Sequence, residues 1–211
     1  LGSNELCIKV LENRPVPEGK YDFHYLDYLQ GMSYLYKLDF EKSEILFIRF
    51  LNNFKGNNYI KSAYQKLAWI AFLKENTDKK ISYLKKIKSE GKAFIDEDKV
   101  ALNEADKNHI NSPKLLRARL FYDGGYYKKA HLELTSVNNL SDYNGFLDEY
   151  YYRLARIESK LNYIDEQVIT KYQKSFDLGR KSSNYYAPMS ALQIGLIYEK
   201  KNDHKKAVIY F

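Results

Sequence analysis

Five small residues, Gly31, Ala68, Ala118, Ala155 and Gly195, recur at spacings of 37, 50, 37 and 40 residues. Each sits inside an amphipathic stretch that is followed by a turn and a second apolar stretch. Self-similarity at this period constrains the fold more than any single residue does. It marks helical hairpins that cannot bury their apolar faces alone and must stack on neighbours, leaving a concave surface along the stack.

The individual stretches carry helical spacing. Hairpin one runs through Leu26, Leu29, Tyr34 and Leu38, turns at Asp39-Phe40, and continues with Ile45, Leu46, Ile48, Phe50 and Leu51. Apolar residues three and four apart in both halves are the period of a helix buried along one stripe. Hairpin two pairs Tyr64, Leu67, Ala68, Ala71 and Phe72 with Ile81, Leu84 and Ile87. Hairpin three opens at Pro113, suited to a first helical turn, and turns at Asp123-Gly124-Gly125. Hairpin four closes at Gly179, read as a helix C-cap. Hairpin five holds Leu192, Gly195 and Tyr198, then Ala207 and Phe211.

Two segments interrupt the array. Residues 1–22 read as the end of an upstream repeat, with Leu6, Val10 and Leu11 at helical spacing, and a linker rich in Pro and Gly from Arg14 to Gly19. The 50-residue spacing requires an insertion near 89–111, where Asp96-Glu97-Asp98 precede Val100, Ala101, Leu102 and Ala105. Acidic residues ahead of a short apolar period favour the positive end of a helix dipole, so an added helix fits this insertion. A calcium loop would need a glycine and a closing glutamate that this run lacks. The chain opens on Leu-Gly-Ser-Asn without a Met and stops inside hairpin five, with no polar capping helix. Residues 23–211 are therefore expected to be part of a longer protein.

Composition narrows the functional classes. Apolar runs such as Leu67 to Leu73 are far short of the roughly 20 residues of a membrane span. The lone Cys7 removes any disulfide framework and suits either a reducing or an oxidising compartment. A net charge of +7 allows a nucleic-acid or polyanion partner. The lysines, however, fall in scattered pairs such as Lys79-Lys80, Lys128-Lys129 and Lys205-Lys206, which reads as a solvated face and argues against nucleic acid. His24, His109, His131 and His204 stand apart with no second ligand at helical spacing, and no nucleophile elbow or phosphate loop occurs. No metal, cofactor or catalytic constellation is expected.

Placed in register, the hairpins resemble the tetratricopeptide repeat. With Gly195 at that family's eighth position, Ile194, Tyr198, Ala207 and Phe211 fall on its apolar seventh, aromatic eleventh, small twentieth and aromatic twenty-fourth places. Gly31, Tyr34, Ser43 and Phe47 follow the same pattern, as do Ala118, Phe121, Ala130 and Leu134. Unit two departs at Ala71 and Lys80, and unit four at Glu158 and Gln167. The Tyr-rich hairpins are also similar to the C-terminal repeat regions of Bacteroidetes tetratricopeptide proteins.

The resemblance implies an all-α, right-handed α-α superhelix of about five hairpins, whose first helices line a concave groove. Carried over position by position, that groove receives Tyr25, Tyr28, Met32, Leu35 and Tyr36 from unit one. Gln65, Trp69, Phe72 and Leu73 come from unit two, and Leu115, Arg119 and Tyr122 from unit three. Unit four adds Tyr152, Arg156 and Lys160. Aromatic at one end and basic in its middle, this face suits a peptide or protein segment with acidic and apolar residues. The carboxylate clamp of co-chaperone repeats is absent, because Tyr28 and Met32 stand where its Lys and Asn would be. The expected function is a non-catalytic protein-interaction scaffold, with polyanion binding or a purely architectural role as the alternatives.

Overall fold

A computed structural model describes residues 3–15, 22–107, 112–136 and 140–211. These residues are all-helical, with twelve α-helices, one short 3-10 helix and no strand among them. The chain divides into two compact units, one built on α1 to α6 and the other on α7 to α12.

The first unit contains α1 (Ser3–Glu12), the pair α2 and α3 (Tyr25–Tyr36, Phe40–Asn53), the pair α4 and α5 (Ile60–Leu73, Thr77–Ser89) and α6 (Asp96–Lys107). The second contains the pairs α7 and α8 (Pro113–Asp123, Tyr127–Thr135), α9 and α10 (Leu147–Lys160, Asp165–Gly179) and α11 and α12 (Tyr186–Lys200, His204–Tyr210). The five pairs are the five hairpins expected from the period.

Their turns repeat at the level of backbone geometry. Seven residues after each small residue the chain takes a left-handed conformation, at Leu38 (φ 63°), Glu75 (56°), Gly125 (79°), Asn162 (60°) and Asn202 (59°). The next residue then donates its N–H five residues back: Asp39 to Tyr34, Asn76 to Ala71, Tyr126 to Phe121, Tyr163 to Glu158 and Asp203 to Tyr198, all at 2.8–3.0 Å. This bond closes the first helix by satisfying one of its last carbonyls. Asp39, Asn76 and Asp203 then cap the second helix, accepting from the N–H groups of Lys42, Lys79 and Lys206.

The small residues have a packing reason. A Cβ on Gly31 would lie 3.2–3.3 Å from the ring of Phe47, which is fully buried, and one on Gly195 would lie 2.5 Å from Phe211. In hairpin one the aromatic ring of the second helix rests directly on the glycine of the first, and in hairpin five the ring of Phe211, just past α12, does so. In hairpin one Ser43 Oγ adds a hydrogen bond to the Gly31 carbonyl at 2.9 Å.

Hairpin four departs from the pattern at Gln167 because its second helix is shifted by one residue. Ile164 is the N-cap of α10, so Val168 and Tyr172 occupy the buried places while Gln167 is exposed and Lys171 half-buried. Gly179 is also not the left-handed cap expected of it. It is the last residue of α10, and a Cβ there would meet Ala187 Cβ of α11 at 3.0 Å, so its role is close helix approach.

The flanking segments are tied in. Helix α1 packs on α2, with Ile8 against Tyr34 and Leu46, and the Asn4 amide donates to the Ser33 carbonyl at 2.9 Å. Of the expected linker, Arg14 pairs with the buried Asp27, which Arg49 also holds at 2.7 and 3.0 Å. Residues 16–21 lie outside the described set. The insertion contributes the added helix, α6, which packs on both α4 and α5 and buries Ala101 and Ala105 with Ala68, Leu84 and Ile87.

Candidate functional site

Whether a first-helix residue can meet a partner depends on what already covers it, and this differs sharply between the hairpins. In hairpin one, Tyr28 is only 5% exposed. Its hydroxyl lies 2.8 Å from Ser62 Oγ of α4, and its ring packs among Phe47, Phe50 and Tyr59. Burial pushes its phenol well above the ordinary value. Tyr25 stacks on Tyr28 and tilts against Tyr59, 4.6 Å between centroids, and burial with the Tyr59 hydrogen bond likewise raises its phenol. Tyr25, Met32 and Tyr36 are half-buried, so the aromatic end expected to be open is largely a core between α2, α3 and the entry to α4.

In hairpin two the covering element is α6. Gln65 and Trp69 are 1% and 3% exposed. Both donate to Glu104 of α6, from Gln65 Nε2 at 2.9 Å and from Trp69 Nε1 at 2.5 Å. Lys66 lies over the Trp69 ring at 3.9 Å and donates to Gln65 Oε1 at 2.6 Å. Phe72 is half-buried under Lys80, 5.2 Å above its ring, and Leu73 is half-buried beside it. The acidic run that opens α6 serves the same contact. Asp98 is fully buried and accepts from the backbone N–H of Tyr59 at 2.7 Å and of Ser62 at 2.9 Å, capping α4 from outside its own chain segment. Burial raises its carboxyl above the ordinary range despite these bonds.

The second unit keeps part of the face accessible. Arg156 and Tyr122 are half-buried and meet, with the guanidinium carbon 4.2 Å from the Tyr122 ring centroid and 5.4 Å from that of Tyr152. Arg119 joins them along a cleft lined also by Ala118, Arg153 and Ile157, too narrow for a water-sized group. Tyr152 itself is 3% exposed, covered by Tyr185 and Tyr186 at the start of α11, and burial raises its phenol. Leu115 is buried. Lys160 is exposed one turn beyond Arg156 on α9. Four of the expected residues, Arg119, Tyr122, Tyr152 and Arg156, therefore converge, with Lys160 on the same side of the helix.

Beneath this cluster lies a buried ion pair. Arg153 donates to Glu149 Oε1 at 2.6 Å, and Tyr186 stacks beside its guanidinium. Burial opposes the Arg153 charge, but Glu149 and the neighbouring phenols outweigh it, so the guanidinium stays ionised. Its charge is thereby paired within the unit, while Arg156 is half-buried beside Tyr122.

Glu104, Asp98, Tyr59 and the Glu149–Arg153 pair are the residues that sequence reasoning missed. Glu104 carries a weak signal, since it stands on α6 one place before Ala105. Glu149 and Arg153 stand four apart on α9, a spacing the sequence does show, whereas the cap that Asp98 provides to α4 and the place of Tyr59 become visible only once the helices are packed. Among the described residues no group of three or more His, Cys, Asp or Glu side chains is placed to hold a metal, and no helix is long and apolar enough to cross a membrane. His131 lies 3.5 Å from Glu158, which Lys171 also pairs at 2.8 Å, while His109 lies outside the described residues. Compared with the models of known families and with curated proteins, the chain matches none.

Proposed function

We propose that this chain is a tetratricopeptide-like repeat protein that acts without catalysis, as a scaffold holding a peptide or protein segment on the first helices of its second unit. The observation that carries this reading is the Arg119, Tyr122, Arg156 cluster, displayed on helices whose turns repeat with one geometry. The right-handed superhelix implied by the resemblance belongs to the same proposal. Stacked hairpins fix the face before binding, which lowers the cost of ordering it, and arginine and tyrosine provide strong contacts with few moving parts. The groove is narrower than the sequence implies, because Tyr28, Gln65 and Trp69 serve the interior of the first unit.

The test is affinity capture from lysate at low and moderate salt, comparing the natural chain with an Arg119→Glu, Arg156→Glu double variant of equal helicity. A small set of proteins retained at moderate salt and lost in the double variant supports the scaffold. Equal capture by the double variant would remove the face. Capture of nucleic acid alone, vanishing with modest salt, would favour the basic-surface alternative.

A further inference from the structure

The chemistry that this face recognises can be read from the chain itself, granting the scaffold reading above. Trp69 and Arg156 hold the same place in their hairpins, each directly after the small residue, Ala68 or Ala155. At Trp69 that place is occupied: helix α6 lies across α4, and its Glu104 carboxylate accepts from the Trp69 indole and the Gln65 amide. A carboxylate carried on a helix is thus the group that this repeat position already binds once.

At Arg156 the equivalent donor is stronger, and none of the described carboxylates pairs with it. Arg117, Arg153, Lys171 and Lys201 of the second unit are each held by a glutamate, at distances of 2.5–3.0 Å. No carboxylate of the described residues comes within ion-pair distance of Arg156 or Lys160, and the ring contacts of Arg156 are with Tyr122 and Tyr152. With its guanidinium carbon 4.2 Å from the Tyr122 centroid, Arg156 is held in place by a ring that limits the rotamer freedom lost on binding, and its forked N–H donors match a carboxylate. The adjacent cleft is too narrow to enclose a phosphate, and three cations, Arg119, Arg156 and Lys160, grouped on two neighbouring helices do not form the longer basic track that a nucleic-acid backbone follows.

We infer that the Tyr122–Arg156–Tyr152 cluster, extended by Lys160, anchors an acidic helical segment of a partner protein. A glutamate or aspartate of that segment would seat on Arg156 as Glu104 seats on Trp69.

The test uses two fluorescein-labelled helical peptides built on the same alanine- and leucine-rich frame, one carrying glutamates at helical spacing and the other glutamines in their place. Anisotropy is read with the full chain at about 0.15 M salt. The glutamate peptide should bind at least about tenfold more tightly than the glutamine peptide. Arg156→Met should abolish that preference, Arg156→Lys should keep part of it, and Lys128→Met, away from the cluster, should leave it intact. Circular dichroism of Arg156→Met confirms that the helices remain. Equal binding of the two peptides, binding of neither, or an unchanged preference in Arg156→Met would overturn the acidic anchor. If the captured partner still fails to bind the Arg119→Glu, Arg156→Glu variant, the docking face survives that result; a partner bound at full strength by the double variant overturns the face itself. Inorganic phosphate displacing the glutamate peptide at equal charge concentration would assign a general anion site and overturn the carboxylate anchor.

Discussion

Asp98→Ala should release α6 from α4, and Trp69 should report it. Helix α4 begins on Tyr59, which has a left-handed backbone (φ 66°) and no side-chain cap of its own. The Asp98 carboxylate provides the missing acceptor for two main-chain donors, at 2.7 and 2.9 Å. Leaving two such donors unpaired costs about 1–3 kcal/mol each. Part of this is returned, because a fully buried carboxylate no longer has to be held away from water, the same effect that raises its pKa. A net loss of about 2 kcal/mol follows, which at a urea dependence of about 2 kcal/mol/M lowers the local midpoint by about 1 M. Asp98→Asn keeps one acceptor and turns an amide toward the other donor, so it should lose nearly as much. Trp69 is the single tryptophan of the chain and bonds directly to Glu104. Its fluorescence should therefore change at lower urea than the far-ultraviolet circular dichroism in the variant, because contacts in a repeat array are made mainly between neighbours. A fluorescence midpoint within about 0.2 M of the natural chain would refute the capping argument.

The repeated turn makes two opposite predictions. Gly125→Ala should cost about 1 kcal/mol, since its left-handed backbone has open space around the added methyl and only the conformation is penalised. Leu38→Gly should cost little or stabilise by up to about 1 kcal/mol at the same place in hairpin one, and urea midpoints separate the two cases. Acid titration should distinguish the two buried aspartates of the first unit. Burial works against Asp27, but Arg49 and Arg14 hold its carboxyl below the ordinary range, so the stabilisation is complete above about pH 4 and is lost as pH falls through the native value. The advantage of the natural chain over Asp27→Asn should therefore shrink between pH 7 and pH 3. Asp98 has the opposite sign: its raised carboxyl takes up a proton more readily in the folded chain, which favours folding as pH falls. An advantage over Asp27→Asn that is unchanged across that range would contradict the first of these assignments.

The period of small residues was enough to place all five hairpins, and at Gly31 and Gly195 its reason is a ring, of Phe47 and Phe211, that lies where the glycine has no side chain. The turn geometry was legible at Gly125 but not at Leu38 or Glu75, where a non-glycine residue takes the left-handed conformation because the surrounding helices fix it. Hairpin four read as degenerate at Gln167 because α10 starts one residue late, and spacing counted from Ala155 cannot detect a local shift of that kind. The candidate face was half legible. Arg119, Tyr122 and Arg156 converge as their register requires, whereas Trp69 and Gln65 are covered by a helix that the sequence revealed without saying where it lies. Tyr28 was unreadable for a related reason: the serine that satisfies its hydroxyl stands 34 residues away. Amphipathic period tells which side of a helix is buried, and it does not tell what the other side meets.

Hydrogen exchange of the full chain, alone and saturated with its captured partner, tests the scaffold most directly. Added protection is expected in α7 and α9, centred on Tyr122 and Arg156, with α4 unchanged beneath α6. Protection confined to the lysine pairs at 128–129 and 205–206, with α7 and α9 exchanging as before, would contradict it.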